Sequence, residues 1–203
     1  MLQTSVAVGN AQLDAIETAV GTAPILRIYS GSLPADAAAA LSSNPLLAEG
    51  TLPSDWMAAA SSRSKAKAGT WTLTGQTTAG TGTGGTFWRL LKADGTTCVA
   101  QGTLRTAVAI STSASTAVNG NVLTFTSTTG AVAGMTVSGT GIPTGTTVIA
   151  VTSTTVTISL TSTAGVSNST SITFGGDMNI DNVSIANAQV VTVSAFAITG
   201  GNA

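Results

Sequence analysis

The stretch Val190-Val191-Thr192-Val193-Ser194-Ala195-Phe196-Ala197-Ile198-Thr199 decides the fold class, because apolar residues recur along it at every second position. Val191, Val193, Ala195 and Ala197 fall on one side of an extended chain, which is the pattern of a strand with one buried face. A strand is also predicted at 177–185. Placing both beside a predicted strand at 97–104 closes one sheet across the intervening chain.

Upstream segments add strands and turns to this sheet. We predict strands at 25–29, 46–52, 69–74 and 86–91, with Asp94-Gly95 as a hairpin turn before the strand at 97–104. Residues 35–41 are predicted to form a short helix or turn. Ser54 is predicted to cap a helical turn that starts at 53–55 and continues through 56–60.

One helix is predicted near the N-terminus. Asn10 is its predicted cap, Leu13, Ile16 and Val20 lie on one face, and Gly21 can end it. The expected fold is all-β, an antiparallel β sandwich or open barrel with one short N-terminal helix and an inserted small β domain.

The insertion is marked by a complete lack of charged residues. All 15 charged residues lie in 1–105 or 177–203, so residues 106–176 carry none. Period-two alternation within this block predicts about five short strands, near 122–127, 134–138, 146–152, 155–160 and 171–175. We therefore expect a parent domain of residues 1–110 and 175–203, and an inserted Thr-rich module of residues 111–174.

Composition excludes several classes of function. The 203 residues include no histidine, one cysteine and only 7% charged residues, with a net charge of -1. Histidine relays, histidine metal sites, intrachain disulfides and cysteine zinc sites are therefore excluded. Seven basic against eight acidic residues give no footprint for nucleic acid or an anionic membrane. No catalytic constellation is found, and we expect neither an enzyme nor a cofactor or metal.

The surface is expected to favour association. With 37 Thr and 22 Ser but few charges, hydroxyls must cover most of it, and low charge with exposed β edges promotes oligomers. No apolar run approaches the roughly 18 to 20 residues that span a bilayer. Residues 1–10 do not resemble a secretory signal, since they carry no Lys or Arg.

Two motifs have alternative interpretations. Residues 80–85 (Gly-Thr-Gly-Thr-Gly-Gly) match the glycine fingerprint of dinucleotide sites, but a strand follows where a helix is required, which favours a flexible loop. Asp177, Asn179 and Asp181 alternate as in the first half of a calcium loop, yet Asn182 and Ala188 stand where Gly and Glu are needed. The solvent face of a strand, with its apolar residues inward, is the favoured alternative.

Arg63, Lys65 and Lys67 form the one cation cluster, and their alternate spacing puts all three on one side of an extended segment. They predict either a docking strip for an acidic partner or a solvated loop.

Cys98 is expected to be a small buried hydrophobe, because no base is available to activate it. The main aromatic residues are expected to lie mostly in the core, although such residues also form interface hot spots. They are Tyr29, Trp56, Trp71, Phe87 and Trp88.

Several runs of the parent domain resemble small structural proteins of tailed bacteriophages of the capsid decoration, or cement, type. They are Ala11-Gln12-Leu13-Asp14-Ala15-Ile16-Glu17, Leu26-Arg27-Ile28-Tyr29-Ser30-Gly31, Leu52-Pro53-Ser54-Asp55-Trp56-Met57, Lys65-Ala66-Lys67-Ala68-Gly69-Thr70-Trp71 and Gly176-Asp177-Met178. The runs Gly134-Met135-Thr136-Val137 and Gly141-Ile142-Pro143-Thr144-Gly145-Thr146-Thr147-Val148 are similar to small β modules grafted into phage virion and tail proteins.

The resemblance implies a virion protein on the capsid surface, made in the cytoplasm of a bacterial host. It implies binding to the major capsid protein at subunit junctions. The charge-poor surface adds the expectation of a homo-oligomer, a dimer or trimer, and the charge balance adds the expectation of no nucleic-acid or membrane partner. The candidate contacts are Arg63, Lys65, Lys67, Leu13, Glu17 and Trp56. Two alternatives remain: a tail or head fibre or adaptor protein that binds a host glycan or receptor, and a bacterial surface-layer or pilus-like protein.

Overall fold

The structure is a computed structural model that describes residues 4–199, and within this part the chain forms two compact units. Unit 1 consists of the residues up to Thr106 and from Asp177 onward, and unit 2 is Ala107–Gly176. One α-helix, α1 (Val6–Val20), and a single turn of 3-10 helix (Thr77–Ala79) belong to unit 1.

The described residues contain sixteen strands, most of them short. In chain order they are β1 (Ile25–Tyr29), β2 (Leu46–Thr51), β3 (Ser64–Ala66), β4 (Thr72–Gly75), β5 (Thr83–Gly84), β6 (Phe87–Leu91), β7 (Cys98–Arg105), β8 (Val108–Ser111), β9 (Val122–Thr124), β10 (Thr136–Ser138), β11 (Val148–Val151), β12 (Thr155–Ile158), β13 (Ser171–Gly175), β14 (Met178–Ile180), β15 (Ser184–Ile185) and β16 (Val190–Thr199).

Seven strands of unit 1 close into a barrel in the order β14-β7-β6-β1-β2-β4-β16, and β14 also pairs with β16. All neighbours are antiparallel except β14 and β7, where Met178 lies opposite Leu104 in a parallel pair. The parallel pair is possible because unit 2 intervenes between β7 and β14 in the chain. The all-β class with one N-terminal helix is confirmed, and the sheet is a closed, mixed barrel.

A chain of aromatic rings fills the barrel. Trp56 packs against Trp71 at 6.0 Å between ring centroids, and Phe196 lies 5.3 Å from both Trp71 and Trp88. The indole nitrogen of Trp56 donates to the Gly21 carbonyl at 3.1 Å, so this buried ring keeps a hydrogen bond. The predicted core positions of the main aromatic residues are confirmed, since all five are at most 4% exposed.

The opposite face of β6 is also covered. Arg89 is buried and donates to the carbonyls of Ala37 and Ala39, so the segment 30–45 lies over this side of the barrel. That segment contains turns and no helix, and Asp36 braces it by accepting from the backbone N–H groups of Ala38 and Ala39 at 2.8 Å.

The alternation predicted for β16 is correct in its first half and wrong in its second. Val191 and Val193 are buried, but Phe196 then points inward while Ala195 and Ala197 are exposed. A bulge causes the change, because Asn179 pairs with Ala195 and the next residue, Ile180, pairs with Val193. The extra residue, Ser194, reverses the phase of the strand.

Two helical predictions are corrected. Ser5 caps α1, accepting from the backbone N–H of Val8 at 3.3 Å, so the helix begins one turn before Asn10. Residues 53–60 form no helix, since Met57 bridges to Lys67 and the chain there is extended. The predicted helix end at Gly21 is confirmed, at a φ of 90° that favours glycine.

Unit 2 is a second ring of strands. Its two sheets, β10-β13-β8 and β11-β12-β9, are joined by bridges from Thr112 to Phe125 and from Thr136 to Thr147. The six strands therefore enclose one small core. The sequence predicted the other five strands but not β8. The buried hydrophobic residues are Leu123, Phe125, Ala131, Met135, Val137, Val148, Val156, Ile158, Val166, Ile172 and Phe174.

Candidate partner-binding surface

All the predicted contact residues except Lys67 lie where α1 packs against the rest of unit 1, and their contacts are made within the same chain. Lys65 on β3 is only 2% exposed, and its Nζ lies 2.6 Å from Asp14 Oδ1 and 2.8 Å from Glu17 Oε2. Both carboxylates project from α1, where residues three apart share a side. Lys65 is thus the centre of an ion-pair triad that fixes the helix to the barrel.

The triad lowers the pKa of Asp14 and raises the pKa of Lys65. The Lys65 hydrogen bond lowers the pKa of Asp14, and a hydrogen bond from the Ala60 backbone N–H at 3.2 Å lowers it further. Burial alone would lower the pKa of Lys65, but its hydrogen bonds to Asp14 and Glu17 outweigh burial and raise it. Asp14 and Lys65 therefore both stay charged over a wider pH range than the free groups do.

Arg63 makes the second attachment of α1. It lies in a two-residue hairpin turn in which Ser62 (φ 50°) and Arg63 (φ 60°) are both left-handed, a conformation usually reserved for Asn and Gly. Its backbone N–H donates to Asn10 Oδ1 at 2.9 Å, and its guanidinium donates to Thr4. A Cβ at Gly9 would approach the Arg63 side chain to 3.0 Å, so glycine lets the helix lie on it. These contacts offset the strain of the turn.

The predicted docking strip is therefore largely internal. Lys65, Leu13 and Trp56 are at most 2% exposed, so they offer no surface to a partner while α1 is docked. Glu17 and Arg63 are half-buried in the same joint. Lys67 is half-buried. Its Nζ donates to the Gly69 carbonyl at 2.7 Å and lies 5.9 Å from the centroid of the Trp71 ring.

Six residues on the side of α1 opposite Leu13 are exposed and uncharged, and Asp14, whose side chain is 53% exposed, borders them. We call this side the outer face; its six residues are Ala7, Val8, Ala11, Ala15, Thr18 and Ala19. The uncharged centre of the exposed side differs from the usual surface helix, in which charged residues face water. The core-facing side is ordinary, since its buried residues are Gly9, Leu13 and Val20.

Unit 2 offers a second uncharged surface. Thr and Ser make up 30 of its 70 residues, and Val118, Val122 and Ile149 are among its exposed apolar side chains. Its two aromatic residues, Phe125 and Phe174, are buried, so neither ring is available for stacking on a sugar. Hydroxyls, backbone groups and the exposed amides of Asn119, Asn121 and Asn168 are the hydrogen-bonding groups that this unit can present.

Both motifs with an alternative interpretation make structural contacts within unit 1. The Gly80–Gly85 run leads into β5, which pairs with β15, so no helix N-terminus faces it. Asp177 accepts from both the backbone and the hydroxyl of Thr103 at 2.9 Å. Met178 and Ile180 are buried, as the strand interpretation predicted. Within residues 4–199, no three His, Cys, Asp or Glu side chains lie close enough to hold a metal ion.

Cys98 is half-buried and its Sγ accepts from Arg89 Nε at 3.0 Å, so it is less enclosed than predicted.

A groove of about 350 Å³ lies along residues 31–34 and 40–44. Asn44 at its edge already bonds the carbonyls of Ser30 and Ser32.

Comparisons with known proteins assign no relative, because no protein-family model, curated protein or solved structure matches this chain. Among residues 4–199, no helix is both long and apolar enough to span a membrane.

The triad predicts a specific pH dependence of stability. Lys65→Met keeps the buried stem but removes the ammonium, and we expect it to lower the free energy of unfolding at pH 7 by about 2 kcal/mol. Because the folded pKa of Asp14 is lowered, its contribution is present above the unfolded value of about 3.9 and is lost as pH falls through the folded pKa. The raised pKa of Lys65 means that its contribution is lost only as pH rises through that value.

Urea unfolding of wild type and Lys65→Met across the pH range measures this difference. The two proteins should differ most between about pH 4 and pH 10 and should converge at both extremes. Lys92→Met is the control, since the Lys92 ammonium has no ion pair among the described residues. A difference that stays the same at every pH would contradict the prediction, because an ion-pair contribution must disappear when either partner loses its charge.

Proposed function

We propose that this chain is a non-catalytic structural protein of a tailed-bacteriophage virion, a decoration or cement protein that binds major capsid subunits at their junctions. The observation that carries the proposal is the pair of uncharged exposed surfaces, on unit 2 and on the outer face of α1. The charged groups nearest to α1 are used to fix the helix internally. The resemblance of the parent domain to decoration proteins supports the same assignment.

The two ring-shaped units suit an adhesive role. Closing each set of strands leaves few unpaired backbone edges, which protects a charge-poor protein from uncontrolled strand pairing. Binding would then depend on matched side-chain surfaces. A contact of about 1,600 Å² in total is enough for a specific interface, and repetition over a capsid multiplies its effect.

Because unit 2 carries no charge, the proposal predicts how binding to capsids depends on salt concentration. Contacts made by hydroxyls, backbone groups and apolar side chains are not screened by salt. Binding to capsids through this unit should therefore change less than about threefold between 50 and 500 mM NaCl. Binding through charged patches would weaken steeply over the same range.

The test is addition of the purified chain to heads that lack it, followed by cryo-electron microscopy and by thermal bursting of the heads. Ordered density over subunit junctions, together with a higher bursting temperature, is the expected result. Density restricted to the tail or to one vertex, or heads that burst at an unchanged temperature, would overturn the cement role. Adding the chain at both salt concentrations tests the neutral interface in the same experiment.

A further inference from the structure

The turn at residues 117–120 of unit 2 is held closely in place. The Gly120 N–H donates to the Ala117 carbonyl at 3.0 Å and closes the turn, and Asn119 has a φ of 65°. Ser162, which is fully buried, fixes the turn from the other side. Its carbonyl accepts from the Asn119 N–H at 2.9 Å, its N–H donates to the Gly120 carbonyl at 2.9 Å, and its hydroxyl donates to the Ala117 carbonyl at 2.9 Å. The backbone of the turn therefore has little freedom.

This geometry selects the residues at positions 119 and 120. A left-handed φ favours asparagine among the residues other than glycine, so Asn119 suits its position. Position 120 requires glycine for lack of space, because a Cβ there would lie 2.5 Å from Thr116 Cγ2 and 2.9 Å from the Ala117 carbonyl oxygen. The fold thus calls for an Asn-Gly pair, which occurs nowhere else in the sequence. The Asn119 side chain is exposed to solvent.

We propose that Asn119 is a site of spontaneous deamidation. The backbone nitrogen of Gly120 loses its proton to solvent and attacks Cγ of Asn119. A new N–Cγ bond forms, the Cγ–Nδ2 bond breaks, and the amide nitrogen takes up a proton from water and leaves as ammonia. The resulting succinimide ring then adds one water molecule, which opens it to aspartate or to isoaspartate. Glycine hinders the attack least, since it has no Cβ to crowd the forming ring.

The hydrogen bond from Gly120 to Ala117 limits the rate of this reaction. The attacking nitrogen is the donor of that bond, so the turn must open before the ring can close. Deamidation in the folded chain should therefore be slower than in the unfolded chain, by the factor that local opening imposes. A substitution that makes unit 2 less stable should make deamidation faster.

The products change both the charge and the backbone of unit 2. An aspartate at position 119 is ionised at neutral pH and brings the first charge into residues 106–176. In the chain it lies between Val118, which is 54% exposed, and Val122, which is 44% exposed. Isoaspartate also adds one carbon atom to the backbone between the Asn119 N–H and the Gly120 carbonyl, both of which Ser162 holds. Neither consequence depends on a capsid role.

Peptide mapping by mass spectrometry, after incubation of the full chain in mildly alkaline buffer at physiological temperature, measures conversion at each asparagine. Conversion at Asn119 should be at least about tenfold faster than at Asn121, which is also exposed but precedes the β-branched Val122. Asn119→Gln should abolish conversion at this position, because the longer side chain must close a larger and less favourable ring. Phe174→Ala removes a fully buried ring of unit 2 and should raise the rate at Asn119 at least about threefold.

Asn119→Asp separates the effect of charge from the effect of the altered backbone. It carries the carboxylate on a normal backbone, so it should unfold at the same urea concentration as wild type. Aged protein enriched in isoaspartate should instead lose the dichroism of unit 2 at a lower urea concentration. No conversion at Asn119, conversion no faster than at Asn121, or equal rates in wild type and Phe174→Ala would each overturn the proposal. Capsid binding by a chain that does not deamidate would leave the cement role intact.

Discussion

Gly75→Ala should lower the free energy of unfolding of unit 1 by at least about 3 kcal/mol. A Cβ at Gly75, the last residue of β4, would lie 1.9 Å from the carbonyl oxygen of Ala186. That oxygen belongs to backbone, and the chain there is tied to Gly75 by hydrogen bonds from Gly75 N–H to the Gln189 carbonyl and from Ala188 N–H to the Gly75 carbonyl. The neighbouring chain cannot move aside without losing those bonds.

Gly84→Ala is the matched control, since Gly84 also ends a strand and nothing lies within 4 Å of the corresponding Cβ. It should leave stability unchanged or raise it slightly by restricting the unfolded chain. Urea unfolding followed by tryptophan emission measures both variants, because all three tryptophans lie in unit 1. Equal stability of the two variants would mean that β4 and the segment 186–189 are not held as closely as described.

Phe174→Ala should remove much or all of the stability of unit 2 and leave unit 1 unaffected. Phe174 is fully buried and meets Phe125 edge to face at 5.7 Å in a core of eleven buried hydrophobic residues. Truncating such a ring costs about 3 to 5 kcal/mol, and a unit of this size has only about 4 to 10 kcal/mol of stability. The change therefore removes much or all of the stability of unit 2.

The placement of the tryptophans makes this prediction measurable. Far-ultraviolet circular dichroism reports on both units, whereas tryptophan emission reports on unit 1. In Phe174→Ala the part of the dichroism signal that comes from unit 2 should be lost at a lower urea concentration than in wild type, or be absent without urea, while the tryptophan transition keeps its midpoint. Thr173→Ala, a substitution of the partly exposed neighbour, is the control. A tryptophan transition that shifts together with the dichroism would show that the two units unfold cooperatively.

The accuracy of the sequence predictions follows the range of the interactions involved. Period-two alternation depends only on neighbouring residues. The predicted bounds of β1 therefore equal the observed ones, and the five strands predicted in unit 2 lie close to their observed positions. The bulge at Ser194 could not be predicted, because it exists only in the pairing of β16 with β14. The helix start was missed because Ser5 and Asn10 are both good caps, and contacts with Arg63 decide between them.

The candidate site was hard to predict for the same reason, because its contacts join residues that are even farther apart in the sequence. Arg63, Lys65 and Lys67 were predicted as one exposed strip because their spacing puts them on one side of an extended chain. In the fold, Lys65 is buried because α1 supplies two carboxylates from positions 48 and 51 residues earlier in the chain. Composition cannot show which charges neutralise one another across such distances.

By itself, the sequence determined the all-β class, the N-terminal helix, the aromatic core and the uncharged block, since each follows from local alternation or from composition. Only the tertiary structure decided that the sheet closes through a parallel pair, that the cation cluster anchors α1, and that an uncharged helix face is left outside. The reason is physical. Which backbone edges pair, and which charges are buried together, depends on residues brought into contact from distant parts of the chain.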